Sequence, residues 1–272
     1  RKVVADIRKG LLAMAGCDAS YECVIMQGSG TFAIEAALGC FCPAGAGKTL
    51  VVANGAYGDR AAKIRERIGR HVSKIDKGDS AAPTVEEVAA TLDADAAITH
   101  VWMIHCETTS GIVNPIQDMA KMVKDKKRVF MVDAMSSFGA LPLDMMDGLD
   151  VMVSSSNKCI EGVPGFSYVL VKRDMLEGSK GRCHSVVLDL HEQWKGLEAN
   201  GQFRFTPPGK HSVRVCLGTA CHMKGGYITL DAWQRRLEIT LGGTTPDREF
   251  DLDTVACVGC CTMAPVTVVD NE

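Results

Sequence analysis

Three polar stations and one group of thiols carry the chemistry that this chain of 272 residues could do. The first station is Gln27-Gly28-Ser29-Gly30-Thr31, directly after an apolar run and directly before a helical pattern. Glycines there let backbone approach an anion. Ser29 and Thr31 supply hydroxyls, and the free N–H groups and positive end of the helix face the ligand. A tight strand-to-helix turn needs glycine for its own geometry too, so this motif alone leaves both readings open. The second is Asp133, which closes the run Arg128-Val-Phe-Met-Val-Asp133; a carboxylate there is costly to bury unless it meets a cation, and is otherwise a structural cap. The third is Lys158 in Ser155-Ser156-Asn157-Lys158, between an apolar run and a glycine-rich turn. Partial desolvation is expected to lower its pKa toward that of a useful nucleophile; a lone lysine at a strand end reads as solvated surface. The thiols are Cys216, Cys221, Cys257 and Cys261, with intervening gaps of four, 35 and three residues. Four thiolates in two close pairs suit a tetrahedral zinc or an iron–sulfur cluster. Cys260 lies between the last two, and a Cys257/Cys260 pairing stays open.

The elements that must position these groups follow from hydrophobic periodicity. Val- and Ile-rich runs recur at 22–26, 50–53, 71–75, 100–105, 128–133 and 149–154, with helical patterns at 31–38, 59–68, 84–92 and 115–124 between them. The third helix opens on the capping pattern Thr84-Val85-Glu86-Glu87. Such alternation predicts an α/β fold of three layers, a mainly parallel sheet with helices on both faces. Ligands collect at the carboxyl ends of strands in that architecture, and the three stations fall at those ends. Anion cradle, then acidic strand end, then lysine is the layout for pyridoxal phosphate. Gly45-Ala46-Gly47-Lys48-Thr49 has the look of a nucleotide loop, but it lies between helix and strand and lacks the first glycine, so it reads as a turn.

The stretches QGSGTFAIEA, NGAYGDR, HCETTSGIVNPI, VDAMSSFGALPLD, SSNKCIEGVPGF and LDLHEQW…FRFTPP resemble fold-type I pyridoxal-phosphate transaminases of the class-V kind. Their order and spacing are most similar to the family that takes 2-aminoethylphosphonate and pyruvate. The resemblance covers residues 1–208 and implies a transaminase large domain. It implies that Lys158 bonds to the cofactor and shuttles a proton, and that Asp133 pairs with the pyridinium nitrogen. Ser29, Gly30 and Thr31 would hold the phosphate, with Thr206 contributing from a neighbouring subunit of a homodimer. Thr108 would sit near the ring hydroxyl, and Ile68 would pack on the ring. The products would be phosphonoacetaldehyde and alanine. The family's Pro-Gly-Pro segment and its carboxyl-terminal small domain, with the arginine that clamps the substrate's acidic group, have no counterpart here. The large domain therefore reads as truncated, with cofactor binding more robust than turnover.

From 209 to 272 the motifs VCLGTACHMKGG, GGTTPD and VACVGCCTMAPVTVVD are similar to the thioredoxin-like [2Fe-2S] subunit of NADH dehydrogenases and NAD-linked hydrogenases or formate dehydrogenases. That resemblance implies a small thioredoxin-like α/β domain in which Cys216, Cys221, Cys257 and Cys261 hold a [2Fe-2S] cluster, with a flavin-bearing, NADH-oxidising subunit as redox partner. A helix is expected over 228–241. The two resemblances meet at Pro207-Pro208-Gly209, and the chain reads as a fusion.

Composition narrows the rest. A net charge of -3 with mixed signs, and a single short basic cluster at 124–128, speak against nucleic acid. No apolar run reaches the roughly 18 residues that a bilayer requires. Twelve cysteines in a Met-rich sequence without an export signal point to a reduced, cytoplasmic compartment. The chain opens on Arg1, as a cut piece would. Three readings stand: a pyridoxal-phosphate enzyme acting on aminophosphonate, an electron-transfer module, or a join in which neither activity operates.

Overall fold

The computed structural model describes residues 2–42, 44–45, 47–201, 210–255, 257 and 260–270. Contacts divide the chain into two compact units, Arg1–Gly201 and Gln202–Glu272. The seam at Pro207-Pro208-Gly209 and the phosphate contact expected of Thr206 lie outside the described residues.

In the first unit the elements run α1 (Lys2–Met14), β1 (Tyr21–Gln27), α2 (Gly30–Cys40), β2 (Lys48–Ala53), α3 (Ala56–Arg67), β3 (Val72–Asp76), α4 (Val85–Ala94), β4 (Ile98–Ile104), β5 (Cys106–Glu107), β6 (Ile112–Val113), α5 (Ile116–Asp125), β7 (Val129–Asp133), β8 (Val151–Ser155), β9 (Phe166–Lys172), α6 (Arg173–Gly178) and α7 (Leu190–Gly201). Seven strands form one sheet in the order β1-β9-β8-β7-β4-β2-β3, and β5 and β6 pair separately as a small ladder. The pairs β8·β7, β7·β4, β4·β2 and β2·β3 are parallel, whereas β9 is antiparallel to both β1 and β8. Six strands thus point one way, and β9 alone runs back.

Period-two alternation splits each central strand between two cores. On β4, Val101 and Met103 face the layer of α1, α4 and α5, where Leu11, Val88, Ile116 and Met119 are buried. Trp102 and Ile104 face the layer of α2, α3, α6 and α7, with Leu38, Ala61, Leu176 and Trp194. Burial on both faces explains why these strands read as unbroken apolar runs. The capping pattern at Thr84 forms: its hydroxyl accepts from Glu87 N, and the Glu87 carboxylate accepts from Thr84 N at 3.0 Å. At the nucleotide-loop lookalike, Lys48 opens β2 and pairs with Asp95 at 2.6 Å.

The second unit holds β10 (His211–Cys216), α8 (Thr219–Met223), α9 (Gly226–Leu237), β11 (Phe250–Val255) and β12 (Thr267–Val269). Its sheet has the order β11-β10-β12, parallel on one side of β10 and antiparallel on the other. The helix expected over 228–241 ends four residues earlier, where Glu238 turns left-handed at φ 54°. Val213, Val215 and Leu252 form the buried apolar centre, with Leu230, Trp233 and Leu237 of α9 packed against it. Among the described residues, no helix is long and apolar enough to cross a membrane.

Candidate active site and cysteine cluster

Parallel strands bring their carboxyl ends to one edge of the sheet, and there a cavity draws on five of them. Ser29, Gly30 and Thr31 reach it after β1, Tyr57 and Arg60 after β2, Ile104, Cys106 and Thr108 at and after β4, Asp133, Met135 and Ser136 at and after β7, and Ser155, Asn157 and Lys158 at and after β8. Six of the residues singled out in the sequence, Ser29, Gly30, Thr31, Thr108, Asp133 and Lys158, therefore line a single cavity.

The start of α2 is shaped for an anion. Ser29 is extended at the N-cap and makes no side-chain cap, so no side chain of the helix competes for its first N–H groups. Gly28 has φ +93°, a backbone that L side chains rarely adopt, and its N–H donates to Gly165 O at 2.9 Å, tying the cradle to the loop before β9. A Cβ on Gly30 would lie 2.3 Å from Met135 Sδ. Glycine there lets the helix start close against the segment that follows β7. The start of α3 is taken up differently. Glu107 is fully buried and its carboxylate accepts from Tyr57 N and Gly58 N, each at 3.1 Å, and from Thr109 Oγ1 at 2.7 Å.

Asp133 is 2% exposed at the floor of the cavity. Its Oδ1 accepts from Met135 N at 2.9 Å, which makes it a local cap as well as a cavity group. Burial pushes its pKa up to about 7; the charge of Glu107 adds to the rise, while the Met135 N–H and the charge of Arg60 oppose it. Lys158 is exposed, contrary to the expected desolvation. The loop from 156 to 165 holds it out: Ser156 Oγ donates to Val163 O and Phe166 O, and Gly162 N to Ser156 O, folding the glycine-rich turn on itself below the lysine.

Ile68, expected to pack on the ring, does not line the cavity. It caps the far end of α3, about 16 Å along the helix from Tyr57, and its Cδ1 would lie 3.8 Å from a Cβ on Gly39. The N-terminal end of α3 faces the cavity instead, presenting Tyr57 with the Arg60 guanidinium 4.9 Å above its ring. Tyr57 and Arg60 were not singled out from the sequence, although they lie within the stretch NGAYGDR. An aromatic just after a strand end, followed three residues later by a cation on the same helix face, is the signal that could have found them.

In the second unit, Cys216 closes β10 and Cys221 lies in α8, both buried. Cys257 and Cys261 are exposed. The four meet: burial and then a hydrogen bond with Cys216 raise the Cys221 pKa, with Cys261 adding to it. The charge of Cys257 and a hydrogen bond with it raise that of Cys261, with burial and Cys216 adding. Thiols crowded this way resist ionisation until a cation joins them. Among the described residues, no three ligating side chains are set to hold one metal ion. Gly226 starts α9 against this site, where a Cβ would sit 2.9 Å from Cys216 O and 3.0 Å from Cys221 O.

A mainly parallel sheet whose strand ends gather an uncapped helix start, a buried carboxylate and a lysine has the build of a pyridoxal-phosphate-dependent transferase. The aminotransferase class-V family model matches residues 1–199, and the chain belongs to that family. Class-V aminotransferases use pyridoxal phosphate. The model of thioredoxin-like [2Fe-2S] ferredoxins matches residues 200–272, which makes the chain a chimera of two families and implies an iron–sulfur cluster. The chain is 51% identical over 231 residues to the 2-aminoethylphosphonate–pyruvate transaminase of Rhizobium meliloti (strain 1021), covering 84% of this chain and 60% of that one. It is 50% identical over 215 residues to that of Syntrophobacter fumaroxidans, covering 78% and 57%. The chain thus spans about three fifths of the length of these relatives. Among solved structures, an aspartate aminotransferase from Thermus thermophilus superposes with a TM-score of 0.64 at 27% identity, covering 72% of this chain and 55% of that one. An alanine–glyoxylate aminotransferase from Nostoc sp. shares the fold, with a TM-score of 0.67 at 22% identity and coverage of 76% and 55%.

The residues present fit pyridoxal phosphate. A helix start that no side chain caps suits its phosphate, and a carboxyl held near pKa 7 by burial suits a cationic ring nitrogen.

Proposed function

We propose that the first unit transfers the amino group of 2-aminoethylphosphonate to pyruvate, giving phosphonoacetaldehyde and alanine. The observation that carries this reading is the gathering of cradle, Asp133 and Lys158 in one cavity of a chain half identical to transaminases of that name. When bound, pyridoxal phosphate supplies the electron sink that lets a proton leave the carbon bearing the amine. Ser29, Gly30 and Thr31 bind its phosphate, with Thr206 of a second copy completing the cradle in a homodimer. Asp133 would pair with the protonated ring nitrogen; burial alone favours its neutral form, and a cation beside it would supply the charge partner that the buried carboxylate lacks. Thr108 orients the ring hydroxyl, and the Tyr57 ring at the cavity wall is the flat surface available to it. Lys158 Nζ tethers the cofactor and moves the proton; its exposure leaves it free to swing between the two tasks. The setting is cytoplasmic.

A second reading is electron transfer through the second unit, favoured by the meeting of Cys216, Cys221, Cys257 and Cys261. There the four thiolates hold a [2Fe-2S] cluster that exchanges electrons with a flavin-bearing, NADH-oxidising partner. The two domains join within 200–209.

The test is the absorption spectrum of protein purified without oxygen and supplied with pyridoxal phosphate. A band that needs Lys158, shifts on adding 2-aminoethylphosphonate and recovers with pyruvate as alanine accumulates supports transamination. A spectrum that Lys158→Ala leaves unchanged sinks the lysine assignment. Bands that respond only to dithionite move the function to the cysteines, and a chain with no bands is an inert join.

A further inference from the structure

Residues of the β5–β6 hairpin and its turn face the cavity and the start of α3 in alternation. Cys106 and Thr108 line the cavity, whereas Glu107 and Thr109 turn to α3. That helix has no cap of its own, since Gly55 stands at its N-cap and carries no side chain. The hairpin supplies one. Glu107, fully buried, accepts from Tyr57 N and Gly58 N with one carboxylate oxygen, each at 3.1 Å. Its other oxygen accepts from Thr109 N at 3.2 Å and Thr109 Oγ1 at 2.7 Å, and Thr109 Oγ1 in turn accepts from Ala56 N at 2.9 Å. The N–H groups that the start of a helix leaves over are thus taken, at Ala56, Tyr57 and Gly58, by side chains of the hairpin. A Cβ on Gly55 would fall 2.5 Å from both Glu107 Cγ and Thr109 Oγ1, so glycine is what admits them. The far side of the hairpin is latched to the end of β2. Asn54 and Asn114, both buried, exchange amide hydrogen bonds at 2.9 and 3.1 Å, and Asn114 Nδ2 also donates to Ile104 O at 2.8 Å.

We propose that Glu107 is a positioning residue for the cofactor, fixing Tyr57 as the flat wall of the cavity against the hairpin that carries Thr108. This role rests on the pyridoxal-phosphate reading of the cavity. A cap drawn from a helix's own N-cap residue stabilises the helix without fixing where it lies. One drawn from a hairpin ties the two elements together, and a carboxylate at the positive end of a helix makes the stronger, charge-assisted kind of hydrogen bond. Tyr57 is 36% exposed, so packing alone holds it loosely; its own N–H is bonded to Glu107, and the ring cannot drift from the hairpin without breaking that bond. The same carboxylate fills the start of α3 from within, which leaves the uncapped start of α2 as the one open to a phosphate.

Glutamine at 107 has nearly the same shape but one oxygen in place of two. Whichever way it turns, its NH2 group meets other donors, the Thr109 N–H on one side or those of Tyr57 and Gly58 on the other. The substitution therefore loosens the tie while keeping the volume.

The test titrates cofactor-free protein with pyridoxal phosphate and follows the Lys158-dependent band in four chains: wild type, Glu107→Gln, Tyr57→Ala and the double variant. Glu107→Gln should weaken binding on the order of tenfold when Tyr57 is present and by less than about twofold when it is absent, the non-additivity of a residue that acts through another. Amide exchange of the cofactor-free protein, read by mass spectrometry over 55–60, should quicken in Glu107→Gln while β4 and β7 keep their protection. Thr109→Val, which removes the hydroxyl between Ala56 N and Glu107, should show the same pattern in weaker form and decides the matter if Glu107→Gln does not fold. Equal losses of affinity with and without Tyr57, or unchanged exchange over 55–60, overturn the proposal and leave the cofactor site standing. A wild-type chain that binds no pyridoxal phosphate overturns both.

Discussion

At the scale of the residue, Asp133 is the group whose surroundings say most. A carboxyl with a folded pKa near 7 against an ordinary value of 3.8 binds a proton in the folded chain that the unfolded chain has released. The stability it contributes is therefore full below about pH 4 and is lost as pH rises toward 7 and through it, with a span of order 4 kcal/mol if the whole shift is realised. Urea denaturation of the cofactor-free protein between pH 4 and pH 8 should show this decline, and Asp133→Asn, which cannot ionise, should flatten it. Parallel curves for the two proteins would mean that the carboxyl is not shielded from water as described. Asp133 was legible in the sequence because a charge closing an apolar strand demands an explanation. The exposure of Lys158 was not legible, because it depends on how Ser156 and Gly162 fold the following turn beneath it. Tyr57 and Arg60 were missed for a related reason: their place in the cavity comes from the crossing of α3 over the strand ends, which no local pattern records.

At the scale of the element, two glycines on neighbouring helices predict opposite kinds of damage. Gly58 sits where α3 passes β2, and a Cβ there would lie 2.7 Å from both Ala53 Cα and Ala53 Cβ. Backbone at the end of a central strand cannot retreat. Gly58→Ala should therefore lower stability by about 1–3 kcal/mol, outweighing a helix-propensity gain of about 1 kcal/mol. At Gly30 the obstacle is the far end of the Met135 side chain, which can move, but it lines the cavity and has the ligand's space to move into. Gly30→Ala should keep the fold and weaken pyridoxal-phosphate binding on the order of tenfold, a cost of about 1.4 kcal/mol. Denaturation midpoints alongside cofactor titration check both; equal loss of stability in the two variants would refute the distinction. Elements built on a strand followed by a crossover helix were readable from alternation alone. The strand β9 escaped that pattern because it follows β8 through a compact loop rather than a helix, and its antiparallel pairing with β1 and β8 has no signature in spacing. Likewise α9 stops short of its apolar pattern, because the chain turns at Glu238 and brings Gly242 N to Leu252 O, 2.8 Å away, in the sheet.

At the scale of the whole molecule, the two units differ in what can hold them together. The first covers both faces of a seven-stranded sheet and needs no cofactor to account for its core. The second, of 71 residues, buries three apolar side chains at its centre among the described residues, Val213, Val215 and Leu252. A domain that small rarely gains enough from such a core alone, and a metal centre that binds only the folded form adds its binding free energy to stability. The two units should then respond separately to loss of their cofactors. Removing iron with a chelator, or replacing Cys257 by Ser, should abolish the dithionite-sensitive bands and lower the unfolding temperature of the second unit, while the Lys158-dependent band persists. Lys158→Ala should do the reverse, with stability changed by no more than about 0.5 kcal/mol because the side chain is exposed. Iron and sulfide content then tests the ligand set: Cys261→Ser should lose the cluster and Cys260→Ser should retain it. The opposite pair of results would move the fourth ligand to Cys260, and iron loss that erased the Lys158 band would show that the two units are not independent.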